Sequence, residues 1–277
     1  MKKYLSVILF LTACHGTQDS QMNNEDIFLS DSTSVVGGQV VPTNHKLQQQ
    51  ALLFKAYHSK TQVNTGEAIE TQWKTNICTA SALTPRILIT AAHCYIKGAE
   101  LHRVELPAGD KKVAYKALKV IPHPDYDENP EADLALVLLE FALPESAHLV
   151  HLPSRSALIM KAILAAGYGR NEGRRSLPGG SGVLRATLLD IDKYDSSTAT
   201  FTVEQRFGKG ICQGDSGGPA LVHVNGKDTV VGVVSKTAYQ ANEENEDPDI
   251  CGHKGIYVNV QHYLDWIEPT VKELSYE

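Results

Sequence analysis

The chain has 277 residues, is 42% hydrophobic and carries a formal net charge of −6. That length and apolar content can bury a sizeable core, and an all-β chain of this size can form one compact unit. Lys2 and Lys3 are the only charges before Cys14, so the chain from Cys14 onward carries −8, and Asp19, Glu25, Asp26 and Asp31 leave −4 for the part from Val35. Neither balance provides the basic face that a nucleic-acid partner needs.

At the N-terminus, Met1-Lys2-Lys3 precedes an apolar run from Tyr4 to Leu11. This is the charge-then-hydrophobe pattern of an export signal, and it is too short to anchor a helix across a bilayer. Residues 1–13 are therefore expected to be a cleaved signal peptide. Leu11-Thr12-Ala13-Cys14 resembles the lipobox of bacterial lipoproteins, in which the cysteine becomes the lipid-bearing first residue; the alternative is a plain secretory signal with an incidental cysteine. Residues 14–34 include the polar stretch from Gln18 to Ser34, which has no sustained period and is expected to be a lipid-attached tether or propeptide.

The remainder, 35–277, reads as strands separated by turns. Ile87 to Ala92, Leu134 to Leu139, Ala162 to Ala166, Val230 to Val234 and Ile256 to Val260 are short runs rich in apolar and β-branched residues, with no helical stripe of comparable length between them. Near the end, Tyr263, Trp266 and Ile267 have the spacing of one helix face, which predicts a helix over about 261–273 with Trp266 as a core anchor.

Three motifs within this body carry chemistry. Gly214-Asp215-Ser216-Gly217-Gly218-Pro219 sets one small nucleophile in a turn where Gly214 can take φ values closed to other residues. A serine hydroxyl is inert at neutral pH unless a base takes its proton and N–H donors await the oxyanion. Alone, the stretch also reads as an ordinary Gly-rich turn. Thr90-Ala91-Ala92-His93-Cys94 supplies a base, and Asp133-Leu134-Ala135-Leu136 a group to orient it. With these motifs in the order His, Asp, Ser, the sequence resembles the chymotrypsin/trypsin family of serine proteases from about Val35 to the C-terminal segment.

The resemblance implies an all-β fold of two antiparallel six-stranded barrels, about 35–150 and 151–260, with a C-terminal helix and the active site in the cleft between them. It implies His93, Asp133 and Ser216 as the catalytic triad, the first two from barrel one, and the N–H groups of Gly214 and Ser216 as the oxyanion hole. Gly167-Tyr168-Gly169 stands where the family usually has Gly-Trp-Gly. The resemblance also pairs Cys78 with Cys94 and Cys212 with Cys251, leaving Cys14 as the odd one of five, as lipidation would require. No metal or cofactor is called for, and no cysteine spacing suits a zinc site.

In the family, cleavage before the segment matching Val35-Val36-Gly37-Gly38 frees an α-amino group that pairs with the aspartate preceding the catalytic serine, here Asp215. Ser34 stands before the cut where trypsin-activated relatives have Lys or Arg, so an enzyme of another specificity is expected to activate the chain. With no cysteine between His15 and Ser34, activation would also release the catalytic part from its anchor. The chain is thus expected to be an exported monomer held to the membrane through Cys14 before activation, in the bacterial outer membrane or periplasm, with release to the medium afterwards.

Specificity departs from the familiar members. The pocket floor is Gly210, so the aspartate that selects Lys and Arg is absent. Ile211 is bulky, Ser235 keeps the family residue beside the triad aspartate, Lys236 and Thr237 replace the usual Trp and Gly, and Gly255 keeps the opposite wall small. These residues predict an elastase-like preference for small or medium apolar side chains. Lys236 reads as a solvated lysine whose stem covers apolar surface, or as a selector of acidic substrate groups. The loop from Ala238 to Ile250, with Glu243, Glu244, Glu246, Asp247 and Asp249, reads as a solvated acidic loop, as a rim for basic flanking residues, or as a weak cation site. Protein or peptide hydrolysis is the function expected; the alternative is a catalytically weak or inactive binding or adhesion lipoprotein on the same scaffold.

Overall fold

The structure, a computed structural model, describes residues 36, 38–64, 69–108, 111–156, 160–205, 208–238 and 248–277. The expectations for Cys14, Val35, Glu243, Glu244, Glu246 and Asp247 fall outside these residues.

Thirteen strands and two α-helices are present among the described residues. The first barrel is built from β2 (Leu52–Asn64), β3 (Ile69–Ala82), β4 (Ile87–Thr90), β5 (Leu101–Ala108), β6 (Lys111–Pro122) and β7 (Ala135–Leu139), which close in the order β2-β3-β4-β7-β6-β5. β4 and β7 are buried along their whole length, and their register sets Leu88 opposite Val137 and Ile89 opposite Leu136. Continuous apolar runs of four and five residues have no polar face to turn to water, so they settle where both faces are covered. β6 is the opposite case: it is mostly exposed and carries four lysines, and its place comes from pairing with β5 and β7.

The second barrel uses β8 (Ala162–Gly167), β9 (Arg185–Lys193), β10 (Thr200–Glu204), β11 (Pro219–Val224), β12 (Lys227–Ala238) and β13 (Lys254–Asn259). β8 pairs with both β9 and β11, which closes the sheet into six antiparallel strands, and the two-residue β1 (Gln39–Val40) adds to the outer side of β9. Alternation is clear in β10, where Phe201 and Val203 turn inward. Phe201 stacks on Tyr257 at 5.3 Å between centroids, filling the barrel where Gly232 leaves no side chain of its own.

A short helix α1 (Leu47–Gln50) leads into β2, and α2 (Leu264–Leu274) closes the chain against the first barrel. Trp266 is not the core anchor of α2. Leu264 and Ile267 fill that role at 1% and 0% exposure, and Trp266 sits half-buried on the flank, edge-on to His123 at 4.8 Å. The face turned to the barrel runs through 264, 267 and 274, and Trp266 lies one position off it.

Candidate active site

His93 sits in a one-turn 3-10 helix at Ala92–Cys94, where the buried strand β4 ends and the chain turns out of the barrel. Asp133 lies just before β7, the neighbour of β4, so strand pairing alone brings the two loops together. His93 Nδ1 is 2.7 Å from Asp133 Oδ2, and the His93 backbone N–H donates to Oδ1 at 2.9 Å. Both carboxylate oxygens therefore hold one residue, which fixes the ring plane as well as its position.

The second barrel completes the arrangement. Ser235, on β12, donates its hydroxyl to Asp133 Oδ2 at 2.6 Å. Asp133 is 4% exposed at its side chain, whereas His93 is 34% exposed and opens to solvent. Burial pushes the Asp133 carboxyl up, but the hydrogen bond and charge of His93 and the Ser235 hydroxyl outweigh it and hold the group below the ordinary carboxylate value. The site thus keeps a charged acceptor under an accessible imidazole.

Ser216 is half-buried and is tied across the seam by its backbone. Thr79 N–H donates to the Ser216 carbonyl at 2.8 Å, and Thr79 follows Cys78, which is disulfide-bonded to Cys94 next to His93. The hydroxyl of Ser216 and Nε2 of His93 make no hydrogen bond to one another or to any other described residue. Gly214 has φ +99°, and Gly217, at φ +78°, is pressed so closely that a Cβ would meet the Thr79 carbonyl oxygen at 2.3 Å. The turn around Ser216 therefore needs both glycines.

Asp215 points the other way, into the second barrel, and is 2% exposed. Its carboxylate accepts the N–H of Gly169 at 2.8 Å and of Cys212 at 2.7 Å. A Cβ on Gly167 or Gly169 would lie 2.1 to 2.5 Å from this carboxylate, so the two glycines are the room it occupies. Tyr168 between them is buried, with its hydroxyl donating to the Ala51 carbonyl at 3.2 Å; the smaller ring in place of the usual one reaches a polar partner on the first barrel. Burial pushes the Asp215 carboxyl up to about 6, against the pull of the two amides and of the Arg185 charge. Val36, the first described residue, forms a bridge with Gly210, whose N–H donates to its carbonyl at 2.8 Å.

Cys212 and Cys251 are joined, as are Cys78 and Cys94. His93 and the sulfurs of Cys78 and Cys94 lie within 4.8 Å of one another, but those sulfurs are spent in a disulfide and offer no thiolate to a metal. Lys236 is exposed and Thr237 half-buried at the end of the β12 segment that also carries Ser235. Asp249 acts within its own loop, where its carboxylate accepts the Cys251 N–H at 2.9 Å and packs against Gly173.

The small wall expected at Gly255 is not open. A Cβ there would meet Gln205 Oε1 at 2.4 Å, Val203 Cγ2 at 2.8 Å and Ile211 Cδ1 at 3.1 Å. Gln205 is the residue that sequence reasoning missed. It follows β10 directly and takes the next inward position after Phe201 and Val203 with a polar side chain that is 1% exposed, the one local signal that marks it.

Two closed six-stranded barrels, with a buried aspartate holding an open histidine at their seam and a serine turn hydrogen-bonded across it through Thr79, are the architecture of chymotrypsin-type serine peptidases. The chain belongs to the trypsin family, whose profile matches residues 55–267. It is 26% identical over 266 residues to kallikrein-11 of Homo sapiens, an alignment covering 89% of this chain and 86% of that one. It is 28% identical to a trypsin of Xenopus laevis over 88% of this chain and 93% of that one, and 31% identical to trypsin 5G1 of Aedes aegypti over 72% and 76%. At family level the protein is a serine-protease hydrolase acting on proteins or peptides.

Proposed function

We propose that this protein is a serine endopeptidase in which His93, Asp133 and Ser216 are catalytic. The observation that carries the reading is the hydrogen-bonded chain Ser235–Asp133–His93, drawn from both barrels, which keeps Asp133 charged and buried beneath an accessible ring. In the reaction His93 takes the Ser216 proton as the hydroxyl attacks the substrate carbonyl, Asp133 stabilises the resulting imidazolium, and the N–H groups of Gly214 and Ser216 receive the oxyanion. His93 then returns the proton to the leaving amine, and water repeats the sequence on the acyl-enzyme. The Ser216–His93 hydrogen bond forms with substrate in place, since such contacts tighten in the bound complex.

The same reading makes the chain a zymogen cleaved before Val35 and held to a membrane through Cys14 until then. It is supported by Val36, which lies against Gly210, and by a buried Asp215 whose raised pKa leaves room for an ammonium partner. Gly210 offers no charge to Lys or Arg, so the substrate residue before the scissile bond is small or medium and apolar. Fluorophosphonate labelling of two purified forms, one starting just after Cys14 and one at Val35, tests the whole. Labelling of the Val35 form alone, abolished by Ser216→Ala, is expected; labelling of both removes the zymogen claim, and labelling of neither removes the catalytic one.

A further inference from the structure

Gly210 and Gly255 face each other across the expected substrate pocket, and the space between them is filled. The Cβ direction of Gly210, along which a floor aspartate would extend, runs into Gln205, with Cδ and Nε2 both 2.5 Å away; that of Gly255 meets Gln205 Oε1 at 2.4 Å. The carboxamide is fixed there. Its Nε2 donates to the Cys251 carbonyl at 2.5 Å and to the Ile211 carbonyl at 3.1 Å, and its Oε1 accepts the Ile211 N–H at 3.1 Å. Its backbone N–H donates to the His253 carbonyl at 2.9 Å. Both donors and the acceptor are thus satisfied by the two walls, one of which is stapled by Cys212–Cys251. A buried amide with all its partners in place does not swing aside without leaving those groups unpaired.

Resting on the peptidase reading above, we infer that Gln205 is the specificity-determining residue of this chain: a built-in plug that closes the pocket from below and limits the residue before the scissile bond to small side chains. Ile211, 2% exposed, backs it from the side. Gly210 and Gly255 are small because the plug needs their space, and they leave none for the substrate. The glycines that would give a deep pocket elsewhere give a shallow one here.

The test uses the full chain after cleavage before Val35, the form expected to label, as wild type, Gln205→Ala and Gln205→Met. Fluorophosphonate labelling reads Ser216 alone, a peptide library reads the preferred residue, and titration with indole reads the cavity without chemistry. Gln205→Ala should bind indole and raise the ratio of kcat/KM for Leu or Phe over Ala by roughly 10- to 200-fold, the range that one methylene-sized difference in an apolar pocket commands. Gln205→Met, similar in volume but without the hydrogen bonds, should keep the wild-type preference and bind no indole. If Gln205→Ala labels but keeps the wild-type ratio and binds no indole, the plug is refuted while the peptidase stands. If no form labels yet Gln205→Ala alone binds indole, the peptidase reading falls and the plug stands as a structural fact.

Discussion

Asp215 offers a measurement in which the direction of the effect is fixed by the structure. Its carboxyl is fully buried and raised from 3.8 to about 6, so the folded chain favours the protonated form. The stabilising contribution is fully present below about pH 4 and is lost as pH rises through 6. A rise of that size corresponds to about 3 kcal/mol. Asp215→Asn removes this titration and leaves an amide whose NH2 faces either the Gly169 or the Cys212 N–H, a pH-independent cost of about 1–3 kcal/mol. Urea unfolding of both proteins with intact disulfides, from pH 4 to 7, should therefore show wild type losing about 3 kcal/mol relative to the variant across that window. His102 and His123, whose burial lowers their pKa values, add an opposite slope to both proteins, and it cancels in the difference. Parallel curves for the two proteins would refute the reasoning, because a carboxylate already comfortable in its ionised form would have nothing to lose. On the zymogen reading the form starting at Val35, with its amine beside Asp215, should show a shallower decline than the uncleaved chain.

Asp133→Asn should lower kcat on the order of ten-thousandfold, the size this change has in the family, with the far-UV spectrum unchanged; a loss below tenfold would mean that Asp133 does not set the His93 tautomer. Replacing Cys78 and Cys94 together by Ser should cost about 3 kcal/mol in urea unfolding, and the same change at Cys212 and Cys251 about 4 kcal/mol, following loop spans of 16 and 39 residues. Asp228, raised by burial but held down to about 2 overall by Gln50, His223 and Lys46, contributes stability that is present above pH 4 and lost as pH falls towards 2. Discounted for its contact with water, Asp228→Ala should cost about 1 kcal/mol at pH 7 and progressively less as pH falls from 4 to 2, read as the shift in urea midpoint.

What the sequence disclosed was whatever a short stretch can carry by itself. β4, β7, β8 and the centres of β12 and β13 are apolar enough to be seen without neighbours, and the Ser216, His93 and Asp133 motifs each announce their chemistry within six residues. β6 was not visible, because its outward lysines mask the alternation and only register with β5 and β7 makes it a strand. Trp266 misled because Tyr263 and Ile267, three before it and one after it, are both buried, and spacing alone does not show that the indole between them sits on the flank beside His123. Gln205 was hidden for a deeper reason: a buried amide is defined by partners at Ile211, Cys251 and His253, and no local pattern records them.

The division of the site between two barrels bears on how such a protein is made. His93 and Asp133 reside in the first barrel, and the turn holding Ser216 is completed by β12 and by the disulfide to Cys251, near the end of the chain. A chain still being synthesised or threaded through an export channel has, on the proposed assignment, a base without a nucleophile. On that assignment hydrolytic competence would arrive only once the last quarter of the sequence has folded and oxidised, and the order of the residues would shield the cell that builds the protein.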